Sequence, residues 1–280
     1  MRNLGAFVSV AGGLANGIAN GEALGVNTIM IHPSPPQRWC TKPFDPEAIK
    51  SFNAAKAKSK IKTVYMHGIY LINLAKPVKQ QFHLSKMALV EYLKLAEAID
   101  SAGVVFHVGS FKDTTPDAGF EQIARGLSWI FEQAPGKSKL LLECAAGAGD
   151  VVGDKMEELK KIYDMSGKNQ DRIGFCLDTQ HMFASGYDLI KDLEGVVKQI
   201  EKILGPDKVK AVHFNDSKTE FNSHRDRHEN IGEGMIGKEA MSAFLNHPKL
   251  KHLDYIMETP ALKDGEGAAG EVKKLLEWAK

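Results

Sequence analysis

Short apolar runs alternate with longer segments of helical periodicity eight times along this chain. Runs of apolar and β-branched residues predict strands at residues 5–11, 28–32, 61–67, 104–108, 139–143, 173–178, 209–215 and 255–258. Apolar residues three or four apart predict helices at residues 13–24, 46–58, 84–101, 117–133, 154–165, 188–204, 237–245 and 265–279. Because no hairpin signal joins successive strands, the pattern indicates parallel strands connected through crossover helices.

Eight strand–helix units in 280 residues match a (β/α)8 TIM barrel, which typically has about 250 residues. The structural alternative is an open doubly wound sheet, which usually carries a glycine-rich phosphate loop after its first strand. The corresponding turn reads Ala11-Gly12-Gly13-Leu14, which is not that fingerprint. With no linker rich in proline, glycine or serine, the sequence predicts an α/β fold of one TIM-barrel domain over residues 1–280.

Charge and cysteine content narrow the class of protein. The formal net charge is +1, which excludes a globally basic nucleic-acid binder but leaves room for a local positive patch. The three cysteines are odd in number and scattered, so they imply no disulfide framework and favour a reducing compartment. No apolar run approaches the roughly 20 residues of a membrane span. Since the first residues also lack the apolar core of a signal peptide, we expect a cytoplasmic protein.

Six consecutive predicted strands end in, or just before, a histidine or a carboxylate. In a TIM barrel the carboxyl ends of the strands converge on the active site. The strand-end residues are His67, His107, Glu143, Asp178, His213 and Glu258, and the following segments add His181, Asp226 and His228. Imidazole and carboxylate together suit zinc, manganese or iron(II). A catalytic metal commonly takes three protein ligands, so nine predict a multinuclear cluster with a bridging carboxylate.

Each of these residues also has a simpler structural interpretation. A single strand-end histidine can be a hydrogen-bonded scaffold residue, and Glu143 or Glu258 can form an ion pair. Asp178 can cap a helix whose first turn contains His181. Cys176 shares a strand face with Asp178, which leaves a thiol ligand as a minor alternative. The histidines outside the nine are predicted to be non-ligands: His32, His83, His224, His247 and His252.

Several motifs together resemble the endonuclease IV family, whose members are zinc-dependent apurinic/apyrimidinic endonucleases. They are His-Gly-Ile-Tyr-Leu-Ile-Asn-Leu-Ala at 67–75, Cys-Leu-Asp-Thr-Gln-His at 176–181, Ala-Ser-Gly-Tyr-Asp at 184–188, His-Phe-Asn-Asp-Ser-Lys at 213–218, and Asp-Arg-His at 226–228 followed by Gly-Glu-Gly at 232–234. Each motif alone is weak, but their combination covers nearly the whole chain and is specific.

The resemblance implies a (β/α)8 barrel with three zinc ions, with manganese or iron as alternatives at some sites. It assigns one metal to His67 and His107, and a bridging role to Glu143. A second metal falls to Asp178, His213 and Glu258, and a third to His181, Asp226 and His228. The implied reaction is hydrolysis of the phosphodiester 5′ to an abasic site in double-stranded DNA, together with removal of 3′-blocking groups. Glu143 would orient the nucleophile, and the expected state is a monomer.

The resemblance also implies loop residues that contact DNA. Positions corresponding to the family's inserted side chains are Tyr70 and Leu71, and Gln37 and Arg38 in the proline-rich 32–46 loop. Tyr70 and Leu71 match the family well, whereas residues 32–39 depart from the family's usual sequence. Cations that could contact phosphate at the rim are Arg38, Lys112, Lys218, Arg225 and Arg227.

The first strand departs from the family at one position. Family members commonly carry a histidine where this chain has Phe7, and often an apolar residue where it has His32. One hypothesis is that this pair has exchanged strands, which keeps an imidazole near the metal ligands. The alternative is ordinary drift of core residues.

Two other functions compete with the nuclease. A sugar isomerase or epimerase of the xylose isomerase-like barrels would need ligands from strands five to eight only. Such an enzyme has no use for His181, Asp226 and His228, which makes this trio the discriminating feature. A catalytically inactive DNA-damage binder is the third candidate, and the intact ligand set argues against it.

Overall fold

Eight parallel strands form a closed ring in the computed structural model, which describes residues 2–280 apart from the side chain of Glu266. Met1, the first residue of the predicted domain, lies outside the described residues. The barrel strands are β1 (Leu4–Phe7), β2 (Thr28–Ile31), β3 (Thr63–His67), β4 (Gly103–Phe106), β5 (Leu140–Glu143), β6 (Ile173–Asp178), β7 (Val209–His213) and β10 (Asp254–Met257). A small antiparallel pair follows β7, formed by β8 (Asp216–Ser217) and β9 (His228–Glu229). The ring closes because β1 pairs in parallel with both β2 and β10, and the predicted TIM barrel is confirmed.

Helices surround the barrel and return the chain to the amino ends of the strands. They are α1 (Asn16–Leu24), α2 (Pro46–Ala57), α3 (Lys79–Ala98), α4 (Pro116–Gln133), α5 (Met156–Met165), α6 (Thr179–Ala184), α7 (Leu193–Gln199), α8 (Gly237–Asn246) and α9 (Gly265–Trp278). Two of them begin with a side-chain cap followed by proline: Asp45 accepts from the Glu47 N–H, and Thr115 accepts from the Ala118 N–H. Of the helices described here, none is long and apolar enough to cross a membrane.

The predicted element types are correct, whereas several predicted boundaries are wrong. The predicted strands over 5–11, 104–108 and 209–215 end earlier, at Phe7, Phe106 and His213. The predicted helix over 188–204 begins only at Leu193. Its first residues form a turn in which Asp188 Oδ1 accepts the N–H groups of Ile190 and Lys191.

Two layers of apolar side chains hold the barrel together. The larger layer packs between the outer strand faces and the helices, and the smaller one fills the barrel interior. The interior residues are Met30, Tyr65, Val105, Leu141, Cys176, Ala211 and Ile256, with Phe7 packed against them. Side chains alternate along a strand, so Cys176 fills the interior two residues before Asp178. The barrel is therefore closed by packing beneath its carboxyl end.

The close contact between β1 and β2 leaves no space for a side chain at Gly5. An added Cβ there would lie 2.8 Å from the Thr28 carbonyl carbon and 2.9 Å from Thr28 Cβ. We expect Gly5→Ala to destabilise the fold by about 1–3 kcal/mol through overpacking, measured by urea denaturation. The control is Gly270→Ala on α9, where an added Cβ meets no described atom within 4 Å. Equal free energies of unfolding for the two variants would contradict this account.

Candidate metal centre at the barrel mouth

A cavity of about 860 Å³ opens at the carboxyl ends of the barrel strands. Its lining includes six of the nine predicted ligands: His67, His107, His181, Asp226, His228 and Glu258. The three others lie directly beneath them and are buried: Glu143, Asp178 and His213. The structure therefore brings all nine predicted residues to one end of the barrel.

Glu143, the last residue of β5, is the central carboxylate of this cluster. Its Oε1 lies 2.7 Å from His213 Nδ1, and its Oε2 lies 3.0 Å from His67 Nε2. His107 Nε2 is 3.4 Å from the same Oε2 atom. Only about 1% of the Glu143 side chain is exposed. One buried carboxylate thus faces imidazoles from strands on both sides of it.

The donor atoms fall into overlapping groups that could each hold a metal ion. His67, His107 and Glu143 form one group, in which all ligand atoms lie within 4.8 Å of one another. A second group within the same limit contains Glu143, Asp178, His213 and Glu258. Glu143 belongs to both groups, as a bridging carboxylate must. A further group of His67, His213 and Glu258 lies within the same limit and combines members of both.

The third group differs slightly from the predicted trio. Asp178, His181 and His228 lie within 4.8 Å of one another. Asp226 approaches the two histidines, with carboxylate oxygens 3.4 Å from His181 Nε2 and 3.4 Å from His228 Nε2, and is half exposed at the rim. Asp178 joins this group because it caps α6, where its Oδ1 accepts the His181 N–H at 2.9 Å. Asp178 therefore caps α6 and also belongs to the cluster.

Backbone carbonyls orient two of the imidazoles. His67 Nδ1 is 2.8 Å from the Gly68 carbonyl oxygen, and His181 Nδ1 is 2.9 Å from that of Cys144. Because a carbonyl oxygen only accepts, each Nδ1 carries a hydrogen, which leaves the Nε2 atom as the one that could bind a metal ion. Such outer contacts are typical of metal-binding histidines.

The charges of the cluster keep its carboxylates ionised despite burial. Burial by itself would raise the pKa of Glu143, but His107 and His213 outweigh it and hold that pKa well below its usual range. Burial also opposes ionisation of Glu258, yet attraction to His213 lowers its pKa to about 2. Ionised carboxylates are the form in which these groups bind metal. The donor set therefore fits divalent cations such as zinc in residue type and in charge.

Two residues that organise the cluster were not identified from the sequence. Asn215 Nδ2 donates to Asp178 Oδ2 at 2.7 Å, and its Oδ1 accepts the Glu258 N–H at 2.8 Å, so one amide links two predicted ligands. The buried Asp216 carboxylate accepts backbone N–H groups from the segment after β9, namely those of Gly232, Gly234, Ile236 and Gly237. Both residues lie in the 213–218 motif, which was the only signal for them.

His32 lies in the mouth, where the exchange hypothesis requires an imidazole. Its ring centroid is 5.2 Å from that of His67 and 4.7 Å from that of Phe7. Burial first, and then the neighbouring His67, lower the pKa of His32 to about 4, so its ring is neutral near pH 7. Among the described residues, the donor groups that could hold a metal do not include His32.

The residues predicted to contact DNA lie side by side at one edge of the cavity. Tyr70 is 63% exposed and Leu71 is 40% exposed. The Tyr70 N–H donates to the Pro36 carbonyl oxygen at 3.0 Å, which joins this loop to the one carrying the exposed Gln37 and Arg38. The Tyr70 ring packs edge-on against His32, with centroids 5.5 Å apart. The structure therefore places exposed aromatic, aliphatic and cationic side chains on two adjoining loops, of which Tyr70 lines the cavity.

Comparison with known proteins points to one group of relatives. A family described as a xylose isomerase-like TIM barrel matches residues 18–280. A protein named "Probable endonuclease 4" from Chloroflexus aggregans is 33% identical over 268 residues, which cover 94% of this chain and 93% of the relative. The crystal structure of endonuclease IV from Thermus thermophilus aligns with a TM-score of 0.88 at 28% identity, covering 99% of this chain and 98% of that one.

The barrel is also shared with sugar-converting proteins, but at a greater distance. A D-tagatose 3-epimerase-like protein aligns with a TM-score of 0.74 at 19% identity, covering 99% of this chain and 97% of that one. A likeness at that identity shows a common fold and carries no conclusion about activity.

We expect the Asp216 carboxylate to hold the segment after β9 in its folded conformation. Asp216→Asn keeps one carbonyl oxygen and turns the other acceptor into a donor that faces backbone N–H groups, so several of these bonds must break. We expect faster amide hydrogen exchange at residues 232–237, measured by mass spectrometry. The control is Asp188→Asn, at an exposed turn where a carboxylate also accepts two N–H groups. Unchanged exchange in Asp216→Asn would contradict the role assigned to this carboxylate.

Proposed function

Because this chain belongs to the endonuclease IV family, we propose that it is a DNA repair hydrolase that cleaves the phosphodiester 5′ to abasic sites and removes 3′-blocking groups. The observation that carries this proposal is the convergence of nine imidazole and carboxylate groups at one barrel mouth, where overlapping sets of them lie close enough to hold metal ions. The substrate would be double-stranded DNA containing abasic sites.

The donor groups fit three zinc ions, with manganese or iron as alternatives at some sites. His67 and His107 would hold one ion, Asp178, His213 and Glu258 a second, with Glu143 between them. His181, Asp226 and His228 would hold the third. When bound, such ions lower the pKa of coordinated water and neutralise the charge that develops on the phosphate and leaving oxygen.

Glu143 is the residue that we assign to catalysis. Its two oxygens already point to different imidazoles, so the carboxylate is held in one orientation at the centre of the site. From there it would accept a hydrogen bond from the attacking water and align that water with the scissile phosphate. Burial excludes bulk solvent from this position and strengthens the alignment.

The loops beside the cavity would hold the DNA. Tyr70 and Leu71 are exposed and adjacent, which suits insertion into the stack where a base is missing. An abasic sugar lacks stacking and pairing, so turning it into the cavity costs less than flipping a normal nucleotide. Gln37 and Arg38 lie on the neighbouring loop, within reach of the same stretch of DNA.

We further propose that residues 1–280 act as one domain, as a monomer, in the cytoplasm. The three cysteines are all free thiols in the structure, which suits a reducing compartment. A DNA substrate suits the same compartment.

A metal-dependent sugar isomerase or epimerase is not favoured. Such an enzyme would need only the ligands from strands five to eight. His181, Asp226 and His228 would then have no role in its reaction. A catalytically inactive binder would have no need for the buried carboxylate Glu143 between three imidazoles.

The third donor group provides the direct test. We expect His228→Ala to reduce incision of a duplex with one stable abasic analogue by more than the ~10–100-fold typical for loss of an outer-shell partner, since a direct ligand is lost. Metal analysis by mass spectrometry should find three zinc ions in the parent protein and two in the variant. His252→Ala is the control, because this exposed residue precedes the amino end of β10, at the end of the barrel opposite the cluster. Full incision by His228→Ala would show that this histidine is dispensable for the reaction, whereas no incision by the parent protein together with conversion of a ketose would favour the isomerase.

The DNA-inserting role of Tyr70 can be tested separately. Stacking of one base on an aromatic ring is worth about 1–3 kcal/mol, so Tyr70→Ala should weaken binding of the abasic duplex roughly 5–150-fold. Its metal content should remain that of the parent protein, because Tyr70 belongs to none of the donor groups described here. Leu276→Ala removes a comparably exposed apolar side chain from α9 and serves as the control. Equal affinities for the two variants would exclude stacking by Tyr70.

A further inference from the structure

The predicted third metal site, formed by His181, Asp226 and His228, is built from two separate parts of the chain. His181 lies on α6, whereas Asp226 and His228 belong to the loop and strand that follow β8. Two N–H groups dock the tip of this loop onto the end of α6: Asn222 donates to the Phe183 carbonyl oxygen, and His224 to that of Ala184. These bonds secure the tip, but the residues that carry the ligands lie further along the loop.

The fully buried side chain of Gln180 connects α6 to that second part of the loop. Its Nε2 donates to the Arg225 carbonyl oxygen at 2.9 Å and to Ser217 Oγ at 3.3 Å. Gln180 precedes His181, and Arg225 precedes Asp226, in the chain. Ser217 is the residue of β8 that pairs with His228 of β9. The Gln180 amide therefore belongs to the residue before His181, bonds to the residue before Asp226, and bonds to the strand partner of His228.

Both partners require Gln180 to be the donor. The Arg225 carbonyl oxygen can only accept. The Ser217 hydroxyl uses its hydrogen to donate to the Thr219 carbonyl oxygen at 2.7 Å, so it accepts from Gln180. An ionised glutamate, which has nearly the same shape, has no hydrogen to offer at this position.

The other end of the Gln180 amide shows that apolar packing does not explain this residue. Its Oε1 is buried without a hydrogen-bond partner among residues 2–280. An unsatisfied buried acceptor costs about 1–3 kcal/mol, which an apolar side chain of similar size would avoid. What the amide provides in return is the pair of N–H bonds to the ligand-bearing loop.

We propose that Gln180 is a positioning residue that holds His181, Asp226 and His228 in register for the third metal ion. This inference rests on the proposed function, because it presumes that the trio binds metal. Gln180 itself contacts neither the metal nor DNA. It acts through the backbone of Arg225 and through the β8–β9 pair.

The test measures zinc affinity in metal-free protein that is reloaded in the presence of a competing chelator. We expect Gln180→Leu to weaken the third ion about 10–100-fold, as loss of an outer-shell contact typically does, and to leave the first two unchanged. Gln180→Glu should weaken it as well, because the carboxylate has no donor. If Gln180 served packing alone, both variants would keep the third ion, since both nearly preserve the side-chain volume.

The matched control is Asn27→Leu at the opposite end of the barrel. The Asn27 amide also makes two bonds between backbone segments, donating to the Arg2 carbonyl oxygen and accepting the Leu4 N–H, each at 2.9 Å. Its loss should lower thermal stability to a similar degree and leave all three zinc affinities unchanged. A loss of the third ion in this control as well would attribute the effect to general destabilisation and overturn the proposal.

The parent protein separates the two proposals. If it binds three zinc ions and incises abasic DNA while Gln180→Leu and Gln180→Glu keep parental affinity for the third ion, the role of Gln180 is wrong and the proposed function stands. If the parent protein binds fewer than three ions and does not incise such DNA, the proposed function fails, and the role of Gln180 fails with it.

Discussion

The burial of the Glu143 carboxylate among imidazoles is the interaction on which the rest of the site depends. A buried charge is unfavourable unless it is paired, and here His67, His107 and His213 surround it within 3.4 Å. No single element could assemble these partners, because each comes from a different strand. The closed parallel barrel brings the carboxyl ends of those strands together and thereby makes the cluster possible.

Around this centre, a set of buried amides and carboxylates aligns the ligands. Asn215 links Asp178 to the backbone of Glu258, Asp216 gathers the backbone after β9, and Gln180 joins α6 to the loop before β9. The two strand-built donor groups rest on the rigid barrel, whereas the third depends on a loop. The third group accordingly relies on hydrogen bonds that join this loop to α6.

Strand-end residues could be assigned from sequence because the barrel places every strand end at the same mouth. That rule predicted six members of the cluster, the segments after the strands supplied the other three, and the structure brings all nine to one end of the barrel. Asp178 was harder to assign, since an aspartate at this position is expected both for a cap of α6 and for a member of the cluster. The helix over 188–204 was predicted too long because the side chain of Asp188 competes for the N–H groups of its first turn.

Sequence alone determined the barrel, its order of strands and helices, and the chemical types gathered at its mouth, because periodicity and strand-end chemistry are local properties. Only the tertiary structure decided that His32 stands beside His67, that Asp178 approaches His181 and His228, and that Gln180 reaches Ser217 and Arg225. The partners of Gln180 lie 37 and 45 residues away along the chain. Contacts at such separations follow from how the loops pack over the closed barrel, and no local pattern encodes them.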